Sequence, residues 1–113
     1  MLPQSLSRIY ARLGITPEHL AEFCQHHQIA ELALFGSILR DDFNPDSDID
    51  FLVSYLPTAQ RNLLQKLCLQ EQLETLLGRP VDLVSKTAIE RSRNWLRRQN
   101  ILSSAKVIYV ARY

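Results

Sequence analysis

Apolar positions along the chain follow two different periods. Four short runs, residues 31–35 (ELALF), 48–53 (DIDFLV), the stretch RPVDLVS around Asp82 and Lys106–Val110 (KVIYV), are rich in apolar and β-branched residues and predict strands. Longer segments with helical spacing lie between them. Thr16-Pro17-Glu18 is a helix start, with threonine as cap, proline in the first turn and an acid near the positive end, and the helix is expected to run to about His27. Pro57-Thr58 predicts the opening of a long helix that carries Leu63, Leu64, Leu67, Leu73, Leu76 and Leu77 and stops at Gly78. Its leucine stripe is too short for several heptads and is expected to pack one face onto the sheet. Thr87-Ala88-Ile89-Glu90 reads as a capping box opening a further helix, which carries Arg91, Arg93, Arg97 and Arg98.

Strands separated by helices, without internal repeats or low-complexity tracts, predict an α/β fold of the α+β kind: a small mixed sheet with helices packed on it and 106–110 as an edge strand. The chain has 113 residues and 46% hydrophobic content. A chain of that size buries roughly two thirds of its unfolded surface, so one domain over 1–113 is expected. The formal charge of +1 exerts no global pull toward nucleic acid or a membrane. No charged-then-apolar leader opens the sequence and no apolar run approaches the ~20 residues of a membrane span, which predicts a cytoplasmic protein. Cys24 and Cys68 have no motif partner and are expected to be reduced and buried. His26 and His27, adjacent at a helix end, cannot easily face one metal and are assigned no catalysis, cations there suiting the helix dipole. Trp95 and Tyr109 read as packing residues, since neither has a second aromatic spaced beside it.

The chemistry lies between residues 36 and 50. Side chains two apart on a strand share a face, so Asp48 and Asp50 point one way with Leu52, while Ile49, Phe51 and Val53 point the other. Two carboxylates about 4 Å apart at an effective dielectric of ~20 repel by about 4 kcal/mol, a cost a fold avoids unless a cation sits between them. Oxygen donors without Cys or His favour Mg²⁺ or Mn²⁺. Ahead of them, Gly36-Ser37 follows the 31–35 strand; the glycine lets backbone approach a ligand and the serine adds a hydroxyl donor. A short helix over 38–41 would turn free N–H groups toward a phosphate. The loop 42–47 (DFNPDS) can fold the carboxylate strand back beside that turn. Asp-x-Asp alone is a weak signal, because aspartates near Pro and Ser commonly bond their own backbone; joined to Gly-Ser at this spacing, between two strand-like runs, it reads as a phosphate and metal pocket.

The pattern GS-x10-DxD followed by a hydrophobic strand resembles the DNA polymerase β nucleotidyltransferase superfamily, and within it the minimal nucleotidyltransferases. The resemblance implies the polymerase β-type nucleotidyltransferase fold and a third acid on a later strand, for which this chain offers Asp82. It implies ATP as substrate, with two Mg²⁺ ions, or Mn²⁺ in their place, held by Asp48, Asp50 and Asp82. Attack would fall on the α-phosphorus with loss of pyrophosphate, Gly36 and Ser37 holding the β/γ region, Arg40 supporting the phosphates and Asp82 acting as base. Relatives usually continue Gly-Ser-x-x-Arg with glycine; here Arg40 is followed by Asp41, whose role is left open. The arginines of 91–98 are either a solvated face or a contact for a partner or for ATP phosphates; nucleic acid is not an expected partner, as the rest of the chain is not basic.

A chain of this length is expected to spend its residues on the catalytic core, without an appended domain to grip a tRNA, a duplex or an aminoglycoside. The resemblance implies an antitoxin that transfers AMP from ATP to a tyrosine of a HEPN-domain RNase toxin. Two other readings stay open: a binding module that silences its partner by occlusion, and a small-molecule nucleotidyltransferase whose substrate subunit is a separate chain. The three-carboxylate reading expects Asp48, Asp50 and Asp82 to converge on one cleft with Ser37 at its rim.

Overall fold

The computed structural model describes residues 4–59 and 62–112. The four strand-like runs form one mixed sheet: β1 (Ile29–Phe35), β2 (Ile49–Tyr55), β3 (Val81–Ser85) and β4 (Lys106–Val110), in the order β3-β2-β1-β4. β1 pairs antiparallel with β2 and with β4, while β2 and β3 run parallel, as a crossover through a helix demands. β4 is an edge strand, as its sequence predicts.

Period-two alternation sorts the strands into two apolar faces. Leu32, Leu34, Ile49, Phe51, Val53, Val81 and Leu83 pack one face against α1 (Gln4–Leu13), α2 (Pro17–His26) and α3 (Leu63–Leu77), through Ile9, Tyr10, Leu13, Leu20, Cys24, Leu69 and Leu73. Ala33 and Leu52 face the other way, onto Ile89 of α4 (Lys86–Glu90) and Ile101 of α5 (Trp95–Ser104). Each fully buried Leu, Ile or Phe contributes roughly 1.5–3 kcal/mol, and it is this two-sided burial that fixes the register of β2. Among the described residues no helix is long and apolar enough to cross a membrane.

The predicted cap of α2 is present: the Thr16 side chain accepts the His19 N–H at 3.1 Å, with Pro17 in the first turn. Gly78 stops α3 in the left-handed conformation (φ +67°), its N–H donating to the Glu74 carbonyl. Six expectations need correction. α3 does not open at Pro57-Thr58: Ala59 N–H bonds back to the Leu56 carbonyl in a turn, Asn62 caps the helix by accepting the Gln65 N–H, and 60–61 lie outside the described residues. Only its later turns meet the core, so Leu63, Leu64 and Leu67 are exposed (70%, 67% and 52%), and Cys68, expected to be buried, is exposed beside them. Ser85, one residue before Lys86, caps α4 in place of Thr87, accepting the Ala88 N–H, and α4 ends at Glu90. The arginines are therefore divided: Arg91 closes α4, Arg93 sits in the connection, and Arg97 and Arg98 belong to α5, which Asn94 caps. Trp95, read as a packing residue, is 62% exposed at the start of α5, whereas Tyr109 packs half-buried against the core.

Candidate active site

β1 runs into a 3-10 turn, Gly36–Leu39, where the sequence predicts a short helix over 38–41. Gly36 has φ +79°, and the Asp50 carboxylate occupies the space a side chain there would need: an added Cβ would collide with Asp50 Oδ2 and lie 3.2 Å from Asp50 Cγ. Only glycine combines that backbone with that approach. Ser37 follows in the same turn, its carbonyl accepting the Arg40 N–H at 2.9 Å.

Sheet register assembles the acids. Phe35 stands opposite Asp50 across β1 and β2, and Asp50 opposite Asp82 across β2 and β3. The end of the Gly36 turn, Asp50 and Asp82 thus form one row along neighbouring strands, on the face of β2 that bears Leu52. Asp48 precedes the first residue of β2 and is exposed, as is Asp82; Asp50 is half-buried. Burial, first, and then the charges of Asp82 and Asp48 raise the Asp50 pKa above the ordinary carboxylate value, opposed by the charge of Arg40. Three of the sequence-predicted residues, Asp48, Asp82 and Arg40, therefore act on the carboxyl group of a fourth, Asp50.

A divalent ion fits this charge pattern. All the donors are hard oxygens, and the uncompensated negative charge gathered at Asp50 is what a cation relieves. Among the described residues no set of three Asp, Glu, His or Cys side chains closes into an ion-holding cage. Mg²⁺ is commonly held by one or two carboxylates and completed by substrate phosphates and water.

The loop that carries Asp48 is held from both sides. Within it, Asn44 N–H donates to Ser47 Oγ (3.0 Å), Asp46 N–H to Asn44 Oδ1 (2.9 Å) and Ser47 N–H to the Asn44 carbonyl (3.0 Å). From α1, Arg12 donates to the carbonyls of Ile38 (2.8 Å) and Arg40 (2.6 Å). From the end of α3, Arg79 donates to the carbonyls of Asn44 (3.1 Å) and Ser47 (2.9 Å) and stacks 4.4 Å from the Phe43 ring centroid. Sequence reasoning missed Arg12, Arg79 and Phe43. Arg79 carried the one available signal, a lone arginine between the helix-ending Gly78 and the strand of Asp82; nothing local marks Arg12.

Arg40 donates through Nε to Asp42 (3.1 Å) in an exposed pair. Asp41 pairs with Arg8 of α1 at 3.1 Å and is not among the charges that shift Asp50, so the acid in the family's glycine position is engaged away from the site. Arg91, Arg93, Arg97 and Arg98 are likewise not among those charges; Arg98 donates to the Ser92 carbonyl at 2.8 Å. His27 stacks on Phe23 at 4.4 Å, and burial followed by the neighbouring His26 lowers its pKa, so it disfavours the charge expected of it at the helix end.

A model of the nucleotidyltransferase domain matches residues 17–108. The protein adenylyltransferase MntA of Thermococcus cleftensis is 37% identical over 77 residues, spanning 68% of this chain and 76% of that protein. A solved toxin–antitoxin structure with AMP-PNP superposes with a TM-score of 0.65 and 19% identity, over 87% of this chain and 76% of that one. The tri-AMPylated Shewanella oneidensis HEPN toxin in complex with its MNT antitoxin gives a TM-score of 0.57 and 21% identity, over 84% and 70%. At those identities the two solved structures speak for the fold.

Proposed function

This chain belongs to the nucleotidyltransferase domain family, and from that premise we propose that it is an antitoxin that transfers AMP from ATP to a tyrosine hydroxyl of a HEPN-domain toxin in the cytoplasm, and so neutralises it. The observation that carries the reading is the row of Gly36, Asp50 and Asp82, with Asp48 and Arg40 acting on the same carboxyl group. The curated relative's activity and the AMPylated toxin of the Shewanella complex support the acceptor class.

Asp48, Asp50 and Asp82 would hold divalent ions, Mg²⁺ or Mn²⁺ and two in number, which supply charge neutralisation for the triphosphate and lower the pKa of an attacking hydroxyl. The Gly36-Ser37 backbone and the Ser37 hydroxyl orient the β and γ phosphates, and the absence of a Cβ at Gly36 keeps Asp50 close to them. Arg40 offsets negative charge at Asp50 and would support the same phosphates. Asp82, exposed and beside Asp50, accepts the tyrosine proton as its oxygen bonds to the α-phosphorus and the bond to pyrophosphate breaks.

The test is incubation of the purified protein with Mg²⁺, labelled ATP and the HEPN toxin encoded beside it. Label is expected on a toxin tyrosine and is lost with Asp48→Ala or Asp82→Ala. Neutralisation that persists in those variants without label would overturn enzymatic silencing in favour of occlusion. Label found only on an added small molecule would overturn the protein acceptor.

A further inference from the structure

We infer that Arg79 is a positioning residue for the acidic site: with Pro80 it brackets Asp48, and the same short segment delivers Asp82, so that two carboxylates from distant parts of the chain are set by one backbone stretch. The inference rests on the assignment of Asp48 as an ion ligand. Asp48 lies outside β2, in a loop with no helix or strand of its own to orient it. Its neighbours on both sides are nevertheless fixed. The carbonyl of Ser47 accepts from Arg79 at 2.9 Å, and the N–H of Ile49 donates to the carbonyl of Pro80 at 3.1 Å. The second Arg79 bond, to the Asn44 carbonyl at 3.1 Å, reaches the start of the turn that Asn44 and Ser47 close between themselves. Phe43 forms the floor, with the Arg79 guanidinium 4.4 Å from its ring centroid.

Among the described residues Arg79 makes no ion pair; its bonds go to main-chain oxygens. Nη1 of the guanidinium serves both carbonyls while its plane lies over the aromatic face; a lysine ammonium has donors for the carbonyls but no plane to stack. The clamp is anchored in turn. Gly78 ends α3 in the left-handed conformation, and Glu74 of that helix accepts the Val81 N–H through Oε2 at 3.0 Å. Asp82 is the next residue, opposite Asp50 in the sheet. α3 is therefore coupled to the acid loop and to β3 through the five residues 78–82. Residues that orient ligands are commonly worth 10–100-fold in metal affinity or activity.

Three measurements on the full chain decide it, using Arg79→Met, which keeps the stem and loses the fork, Arg79→Lys, which keeps the charge, and Asp48→Ala. First, without metal, amide hydrogen exchange at Ser47 and Ile49 should quicken by about 10-fold or more in Arg79→Met and less in Arg79→Lys, while exchange in the centre of β1 stays at the wild-type rate. Second, Mn²⁺ affinity followed by electron paramagnetic resonance, with no nucleotide or toxin present, should fall roughly 10–100-fold in Arg79→Met and at least as far in Asp48→Ala. Third, the transfer rate at saturating ATP should fall with the Mn²⁺ affinity. Unchanged loop exchange in Arg79→Met overturns the clamp. Quickened exchange with wild-type Mn²⁺ affinity, while Asp48→Ala weakens binding, also overturns it, because Arg79 then holds the loop and not the ligand. Mn²⁺ binding indifferent to Asp48→Ala removes Asp48 from the ion site, and that failure belongs to the proposed function as well.

Discussion

Gly36→Ala probes the closest approach in the site. Two costs are separable. The backbone at φ +79° is left-handed, where a non-glycine residue is strained by about 1–2 kcal/mol. The new methyl also meets Asp50, colliding with Oδ2 and lying 3.2 Å from Cγ, so the carboxylate must leave its rotamer at a cost of about 0.5–1.5 kcal/mol. Together they amount to roughly 1.5–3.5 kcal/mol, which lowers Tm by about 6–15 °C for a domain of this size. Circular dichroism melts and denaturant titrations measure the loss, and the adenylyl transfer assay should show a fall of at least 100-fold, since the displaced group is the central carboxylate. A double-mutant cycle with Asp50→Ala isolates the contact: Gly36→Ala should cost about 1 kcal/mol less in the Asp50→Ala background, because only the backbone strain remains. An equal cost in both backgrounds would refute the close approach, and a variant as stable as wild type would refute the strain too.

Two further outcomes follow from titrating groups. Burial and the charges of Asp82 and Asp48 raise the Asp50 pKa, so the folded chain binds protons more tightly than the unfolded one; without metal, stability should fall as pH rises through the Asp50 titration and recover toward acid. Asp50→Asn should therefore melt higher than wild type near neutral pH, with the gap closing as pH falls through the raised Asp50 titration toward the ordinary carboxylate range, and a gap independent of pH would count against the cause. For the thiols, Cys24 is buried with its pKa pushed up to about 12, whereas Cys68 is exposed. A maleimide at about pH 7 should label Cys68 in the native protein and Cys24 only on the timescale of unfolding, and equal native rates would contradict the packing.

The elements whose causes are local could be read from the sequence. Thr16 caps α2 because its hydroxyl and the N–H it accepts are three residues apart, and Gly78 ends α3 because its own backbone tolerates the left-handed turn. Alternation alone assigned Ile49, Phe51 and Val53 to one face and Leu52 to the other. The same local rules failed where a distant neighbour decides. A capping box at Thr87 lost to Ser85, whose position is set by β3 pairing with β2. The leucine pattern of 63–77 could not reveal that Leu69 and Leu73 are buried, with Leu77 packed against the same core, while Leu63, Leu64 and Leu67 are exposed. α1 is a different case: Leu6, Ile9, Tyr10 and Leu13 stand at i, i+3, i+4 and i+7, a helical spacing that is local and present in the sequence, and these are the side chains that reach the core.

The site divides along the same line. Residue types and short spacings set its chemistry: Gly36-Ser37, Asp48 and Asp50 carry a phosphate turn and hard oxygen donors within fifteen residues, and no folding is needed to see it. Only the tertiary structure decided that Asp82 stands beside Asp50, that Asp41 turns to Arg8, and that Arg12 and Arg79 hold the loop between. The physical reason is reach. Periodicity and capping act over a few residues, whereas charge coupling and arginine-to-carbonyl bonds act through space, between residues that the parallel pairing of β2 with β3 and the docking of α1 bring together.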